Sequence, residues 1–304
     1  MMLQVLADGL VVGSIVSLGA IGLTLTFSIL RFSNFGHGEM LAWGAYLALS
    51  ALGWFQTLVG GGPFGALSFG WSLLLGLGVA IIGTVGLALL VDALLFQRLR
   101  AQGAITLVIA SFGAALALRN LLFFIYGGIP MYYSEALQMA VAILPRSFYG
   151  GLRITPDQMF VLGLTLVTVM AVHLFLQRST LGRAMRATSL NPQLVRVCGV
   201  DPERVLRATW VLGGVLAAVA GVLAGLTVQL RPTLGQDLLL PLFAAAILGG
   251  IGSVWGAVIG GLIVGLAESA AVMWIGAEYR AAASFAVLIV ILLVRPTGLF
   301  PEKT

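Results

Sequence analysis

A group of polar side chains lies early in the chain, in the segment RFSNFGHGE (residues 31–39). Arg31, Asn34, His37 and Glu39 bring hydrogen-bond donors, acceptors and both signs of charge close together along the chain. Such a set can bind a small polar solute, or it can satisfy the polar groups of an interrupted helix. Long apolar runs lie on both sides. The segment is therefore a candidate path-lining element, and a plain turn between two spans is the alternative.

Three further polar residues, Arg119, Asn120 and Glu268, lie well inside apolar runs. Ionisable groups at membrane depth are costly and are often functional. Arg119 could face the carboxylate of a zwitterion and Glu268 its ammonium group, but the two could equally pair with each other or reach the interface. The candidate substrate-path residues are Asn34, His37, Glu39, Arg119, Asn120 and Glu268.

The remaining side chains indicate no metal site and no enzyme active site. His37 and His173 are the only histidines, Cys198 is the only cysteine, and no nucleophile–base pairing stands out. Lys303 is the only lysine, whereas a Walker A loop requires Gly-x₄-Gly-Lys-Ser/Thr. We therefore expect neither an enzyme nor a cofactor in this chain. If ATP and Mg²⁺ drive its activity, they must bind to another chain.

The composition places these residues in a membrane protein. Hydrophobic residues make up 60% of the 304 residues and charged residues only 9%, whereas a soluble domain carries about 25% charged residues. Only helices or closed barrels satisfy the backbone within lipid, and the short alternating segments of a barrel are absent. The sequence predicts an all-α polytopic membrane protein in which residues 1–304 form a single transmembrane domain. The net charge of +5 is read as a topology signal and not as a sign of nucleic-acid binding.

About eight transmembrane helices are expected, with one shorter apolar segment among them. The short segment, residues 238–248, would reach about 16 Å as a helix, roughly half of a bilayer core, so we expect a half-helix or a broken helix there. The eight predicted spans are 8–30, 40–59, 70–96, 104–125, 158–177, 208–230, 254–275 and 281–294.

Arginine residues predict the orientation in the membrane. The connection 178–207 contains six of them, and connections rich in Arg and Lys stay in the cytoplasm. Counting spans from there places the C-terminus in the cytoplasm, the N-terminus in the periplasm and the segment 126–157 outside. We expect a multi-pass protein of the bacterial inner membrane.

The connection 178–207 also contains the signals of two helix starts. Asn191 is placed to cap a short helix that Gly199 ends. Asp201 is placed to cap a second helix, with Pro202 and Glu203 in its first turn, and this helix should continue into the span that begins near residue 208.

The first of these helices suits contact with a partner chain. Leu194, Val197 and Cys198 fall on one helical face, and an exposed helix joined rigidly to a span can transmit a movement. A positively charged loop that only sets the topology is the alternative. The candidate coupling residues are Arg183, Arg186, Leu194, Val197, Gly199, Pro202 and Glu203.

Several segments resemble those of LivH-type permeases, which belong to ABC importers of branched-chain amino acids. The resemblance is carried in chain order by SNFGHGEMLAWGAYLA, GRAMRATSLNPQLVRVCGVDPERV, ILGGIGSVWGAVIGGLIVGLAE and RPTGLF. One departure is Arg196, where relatives tend to have a small residue. Amide and urea permeases share these segments, so the resemblance predicts the family better than the substrate.

The resemblance implies a transport subunit that works with partners. It implies a related second permease in a heterodimer, two ATPase subunits that dock on the loop 178–207 and carry ATP and Mg²⁺, and a periplasmic substrate-binding protein. The function expected from it is import of branched-chain or other hydrophobic amino acids. The alternatives are a urea or short-amide ABC permease and a stand-alone carrier or channel for a small neutral solute.

The predicted orientation can be tested at the native Cys198, which lies in the arginine-rich connection. A membrane-impermeant thiol reagent should label it in inverted vesicles, because the arginines hold this connection in the cytoplasm. Labelling of Cys198 in intact spheroplasts would instead show that this connection lies outside the cell membrane and would contradict the predicted orientation.

Overall fold

The computed structural model describes residues 2–59, 62, 65, 67–134, 140–144, 152–295 and 297–300. These residues are helical apart from their connections and one antiparallel hairpin, β1 (Val141–Leu144) with β2 (Leu152–Ile154). The predicted all-α polytopic fold is therefore confirmed. The helices are α1 (Met2–Leu30), α2 (Gly36–Val59), α3 (Trp71–Val91), α4 (Gln97–Leu99), α5 (Ala104–Tyr126), α6 (Pro156–Arg178), α7 (Thr180–Leu190), α8 (Pro192–Val197), α9 (Pro202–Thr227), α10 (Leu234–Gly249), α11 (Val254–Trp274) and α12 (Arg280–Val294).

Among the described residues, 7 helical stretches are long and apolar enough to cross a membrane. They correspond to seven of the eight predicted spans, and the eighth corresponds to α2. The predicted half-helix is α10, whose 16 residues extend about 24 Å, less than the roughly 30 Å core of a bilayer. It begins at Leu234, earlier than the predicted residue 238.

Contacts between connections define the two ends of the bundle. At the arginine-rich end, the guanidinium of Arg31 donates to the carbonyl of Ser189 at 2.7 Å, and Arg100 lies 3.7 Å from the carboxylate of Glu203. At the opposite end, Met131 and Leu230 form an isolated β-bridge. The α1 helix therefore ends, and α9 begins, at the arginine-rich end.

Helices α1 and α9 occupy the centre of the bundle. In α1 and α9, 83% and 78% of the most apolar window is buried, against 6% in the last span. The α1 helix approaches α11 so closely that a Cβ on Gly265 would lie 2.3 Å from the backbone nitrogen of Gly13. Small residues permit this distance between helix axes, where dispersion contacts supply the attraction.

The chain turns back into the bundle after α1. Arg31 has a φ of 59°, a left-handed conformation that is uncommon for residues other than glycine, and it ends the helix. Phe32 and Phe35 then anchor the extended segment: Phe32 lies against Phe96 with ring centroids 5.1 Å apart, and Phe35 lies against Phe243 at 5.2 Å. The α2 helix therefore starts inside the bundle, and not at its surface.

Two local features differ from the expectation. The α2 helix begins at Gly36, so that the polar residues His37 and Glu39 lie in its first turn and not before a span starting at residue 40. The α7 helix was not predicted; it is capped by Ser179, whose hydroxyl accepts from the amide of Gly182 at 2.8 Å.

Candidate functional site

Protein groups accept from the amides at the start of α2. The side-chain oxygen of Asn34 accepts from the amide of Gly36 at 3.0 Å, and the hydroxyl of Ser111 accepts from the amide of Phe35 at 3.2 Å. Asn34 is 1% exposed. Since the first amides of a helix have no partner within it, these two side chains allow α2 to begin without water.

His37 ties this start to the central helix α1. Its Nε2 lies 3.1 Å from the carbonyl oxygen of Gly19, which can only accept, so Nε2 donates. Gly19 lies near the middle of α1, about 16 Å along the axis from Leu30. His37 is 1% exposed. The residues 34–39 are thus at depth in the bundle, and the imidazole positions α2 instead of facing an open space.

Glu39 forms an ion pair with Arg119. Its Oε1 accepts from Nε and Nη2 of Arg119 at 3.0 and 2.9 Å, and Nη1 of Arg119 donates to the side chain of Gln236 at 2.6 Å. The pair joins α2, α5 and α10. The Oε2 atom of Glu39 has no hydrogen bond among the described residues. The Arg119 side chain retains 18% of its exposure, so the pair reaches the surface of the bundle on one side.

Glycine allows α2 and α10 to meet beside this pair. A Cβ on Gly38 would lie 2.4 Å from the carbonyl oxygen of Gly235, a distance that no side chain can accept. The glycine contact joins α2 and α10 directly, and the Glu39–Arg119–Gln236 contacts link the same two helices through α5.

Glu268 has partners of its own on the other side of α10. Its Oε2 accepts from Nε of Arg280 at 2.8 Å, and its Oε1 accepts from the hydroxyl of Ser284. Arg119 and Glu268 therefore do not pair with each other. Asn120 is exposed, and its side-chain amide donates to the carbonyl of Leu116 in its own helix at 2.7 Å.

The predicted coupling residues lie together at the arginine-rich end. Arg183 and Arg186 are exposed on α7, whereas Met185 of the same helix is buried. On α8, Val197 is 85% exposed and Val195 is 6% exposed. The side chain of Leu194 lies outside the described residues.

Both predicted helix starts of this region are present. Asn191 accepts from the amide of Gln193 at 3.1 Å, and Gly199 ends α8 with a φ of 77°. Asp201 accepts from the amide of Glu203 at 2.9 Å, and α9 begins at Pro202. Glu203 also lies near Arg100, so its carboxylate is partly used within the chain.

Sequence reasoning missed Gln236 and Arg280, the partners that hold Arg119 and Glu268. Both lie just inside the first turn of a helix, α10 and α12. The sequence signal that could have identified them was a polar residue near the start of a short apolar helix, because Arg119 and Glu268 lie at depth and need polar partners. Pairing across helices depends on their arrangement in space, which one sequence does not contain.

Comparisons with known proteins match nearly the whole chain to one family of membrane proteins. Residues 5–292 match a family described as branched-chain amino acid transport system / permease component. The high-affinity branched-chain amino acid transport system permease protein BraD of Pseudomonas aeruginosa is 32% identical, over 98% of this chain and 95% of its own length. The permease protein LivH of the corresponding Escherichia coli system is 31% identical, over 98% and 94%.

A more distant relative and a solved structure extend these matches. The probable branched-chain amino acid transport permease protein LivH of Methanocaldococcus jannaschii is 30% identical, over 97% of this chain and 91% of its own length. Among solved structures, PsaBC from Streptococcus pneumoniae, determined in complex with a Fab, aligns with a TM-score of 0.51 at 13% identity, over 97% of this chain and 91% of that chain. That likeness concerns the fold alone.

The contact between α2 and α10 yields a prediction with an internal control. Gly38→Val should leave membrane insertion intact but lower the thermal unfolding temperature of the purified protein, because overpacking costs about 1–3 kcal/mol. Gly53→Val, in the same helix, should have little effect, since a Cβ at Gly53 would meet nothing within 4 Å. Equal unfolding temperatures for the two variants would contradict the close approach of α2 and α10.

Proposed function

Because this chain belongs to the family of branched-chain amino acid transport permeases, we propose that it is the membrane subunit of an ATP-driven importer of branched-chain or other hydrophobic amino acids. The observation that carries the proposal is the match over residues 5–292, together with bacterial and archaeal relatives that align along nearly their whole length. Those relatives bear branched-chain amino acid names, which favours this substrate over urea or short amides.

The energy for transport comes from partner chains in this proposal. The single lysine, Lys303, lies outside the described residues and cannot belong to a Walker A loop, which would need a glycine-rich segment directly before it. ATP and Mg²⁺ therefore bind to two ATPase subunits. A periplasmic binding protein delivers the substrate, so the permease itself needs only a weak internal site.

A related second permease completes the membrane part. Support comes from two exposed polar residues beside the Glu39–Arg119 pair, Asn120 on α5 and Gln236 on α10. Polar groups of this kind are costly in lipid, so this side suits a second protein and a water-filled path. The exposed side chains of α3, α6 and α12 include Ile82, Leu166 and Leu293, as expected for lipid contact.

The orientation follows from the arginine-rich end, which we place in the cytoplasm. The N-terminus and the segment 126–157 then face the periplasm, and the C-terminus faces the cytoplasm of a cell whose inner membrane holds the protein. The binding protein would approach the side on which Met131 bridges to Leu230.

The α7 and α8 helices form the surface for the ATPase subunits. Arg183, Arg186 and Val197 are exposed there, and only the residues 198–201 separate α8 from α9. Asp201 caps α9 at 2.9 Å, so the connection is short and ordered. A displacement of α8 therefore moves α9, the central helix that contacts α1 and α2, and this gives a mechanical route from ATP hydrolysis to the substrate path.

The proposed function is tested by reconstituting the chain with its second permease, ATPase subunits and binding protein in vesicles. Uptake of radiolabelled leucine, isoleucine or valine should require ATP and the binding protein. Uptake of urea or acetamide in preference to leucine would favour the alternative function, a urea or short-amide permease. Leucine uptake without ATPase subunits would point to a stand-alone carrier.

The coupling surface is tested by Val197→Asp, alone and combined with Leu194→Asp. Burial of one aliphatic side chain contributes about 1.5–3 kcal/mol, so loss of Val197 from the interface should weaken ATPase pull-down about tenfold or more and reduce substrate-stimulated hydrolysis. Val141→Asp provides the control, because this valine is 51% exposed at the opposite end.

Insertion should survive in all three variants, because the arginines that hold the connection in the cytoplasm are unchanged. If the double variant binds the ATPase as tightly as the parent and transport stays coupled, α8 is not the docking helix.

A further inference from the structure

A cavity of about 590 Å³ opens at the end of the bundle opposite the arginine-rich end. It lies between α10, α11, the start of α12 and the connection before α10. Its volume is within the range of pockets that bind small molecules. The Glu39–Arg119 pair is not part of its lining.

The cavity contains a guanidinium group that is held in place by a buried carboxylate. Glu268 is 2% exposed and accepts from Nε of Arg280 at 2.8 Å and from the hydroxyl of Ser284. Within the described part of the chain, the two terminal nitrogens of Arg280 make no hydrogen bond. Arginine presents its nitrogens as a fork that matches a carboxylate, so the free edge of Arg280 is a positioned anion site.

Acidic and apolar groups line the same cavity. Asp237, in the first turn of α10, accepts only from the hydroxyl of Thr233, at 3.2 Å, among the described residues. Leu234, Leu238 and Val272 supply an apolar wall. Arg231 and Glu278 also line the cavity. The lining therefore offers cationic groups, carboxylates and a hydrocarbon surface to a small molecule, and Arg280 is the cation that a buried carboxylate holds in place.

We propose that this cavity binds a free α-amino acid with an apolar side chain. The α-carboxylate lies on the terminal nitrogens of Arg280, the ammonium group lies toward Asp237, and the side chain contacts Leu238 and Val272. A zwitterion supplies an acceptor for the terminal nitrogens of Arg280 and a cation for Asp237, whereas a neutral amide offers Asp237 no counter-charge. The site rests on the proposed function, since it names the chemistry by which that function selects its substrate.

The inference differs from the pairing that the sequence suggested. Arg119 is occupied by Glu39 and Gln236, and the carboxylate of Glu268 is occupied by Arg280 and Ser284. Glu268 is therefore a positioning residue for Arg280, and the ammonium partner is Asp237.

Binding can be measured without transport by cysteine protection in the purified permease–ATPase complex in nanodiscs. Cys198→Ala removes the native thiol, and Val272→Cys then places a thiol in the cavity lining. Ile275→Cys is the matched control, because Ile275 is 66% exposed and does not line the cavity. An impermeant maleimide labels both, and L-leucine, leucinamide, 4-methylpentanoate and urea are added as competitors.

Leucine should slow the labelling of Val272→Cys and leave Ile275→Cys unchanged. Leucinamide lacks the carboxylate and 4-methylpentanoate lacks the ammonium group, so each should need about tenfold more ligand for half-protection, the equivalent of one charge-assisted hydrogen bond. Urea should give no protection.

Two substitutions then separate the two ends of the ligand. Arg280→Lys keeps a cation beside Glu268 but loses the fork, and it should raise the half-protecting concentration of leucine and 4-methylpentanoate about tenfold, with leucinamide unaffected. Asp237→Asn should weaken the binding of leucine and leucinamide and leave the binding of 4-methylpentanoate unchanged. Arg153→Lys, at an exposed arginine of the same end, should alter none of the three.

The failures of the two proposals are distinguishable. If the complex imports leucine but leucine does not protect Val272→Cys, or if urea protects it as well as leucine does, the cavity assignment is wrong and the proposed function stands. An equal shift for all three ligands in Arg280→Lys would also overturn it, because that is the result of a purely structural role. Protection of Val272→Cys in a complex that fails to import leucine would support the cavity site and reject the proposed function.

Discussion

The rest of the structure depends on the point at which α2 begins. A helix that starts inside a membrane bundle must find partners for its first amides within the protein, because lipid offers none. Asn34 and Ser111 accept from the amides of Gly36 and Phe35, and His37 holds the turn to Gly19 of α1. With these contacts satisfied, Gly38 can approach Gly235, and α10 is fixed between α2 and α11.

The fixed position of α10 separates two ion pairs. Glu39 and Arg119 lie on one side of it, and Glu268 and Arg280 lie on the other. Glu39 and Glu268 are 1% and 2% exposed, so loss of either arginine would leave a buried carboxylate without its counter-charge, which is costly. The same short helix borders the polar side that we assign to a second permease and the cavity that we assign to an amino acid. A movement of α10 would therefore affect both.

Much of this fold follows from local patterns in the sequence. Apolar runs predicted the spans, and the capping residues Asn191, Gly199 and Asp201 correctly predicted the ends of α8 and the start of α9. The resemblance to LivH-type permeases is confirmed by the family match. These signals are short-range, and a single sequence contains them completely.

The remainder required the arrangement in space. The α7 helix escaped prediction because its buried residues, Gly182, Met185 and Thr188, do not form an apolar stripe, since one is glycine and another is polar. The substrate-path residues were predicted as a set, but the side chain of His37 is hydrogen-bonded to α1 and Arg119 is paired with Glu39. Whether the predicted path and coupling residues act as proposed stays a prediction.

Hydrogen–deuterium exchange of the purified complex tests the central claim most directly, because it reports the depth of the segment 31–39 without altering it. Exposed connections exchange rapidly, whereas amides in the stable core exchange only when the structure opens. If α2 begins inside the bundle, peptides that cover Phe35, Gly36 and His37 should be protected for as long as those from the middle of α1. Exchange as fast as that of the connection around Gly199 would make the segment a surface turn and would contradict the account.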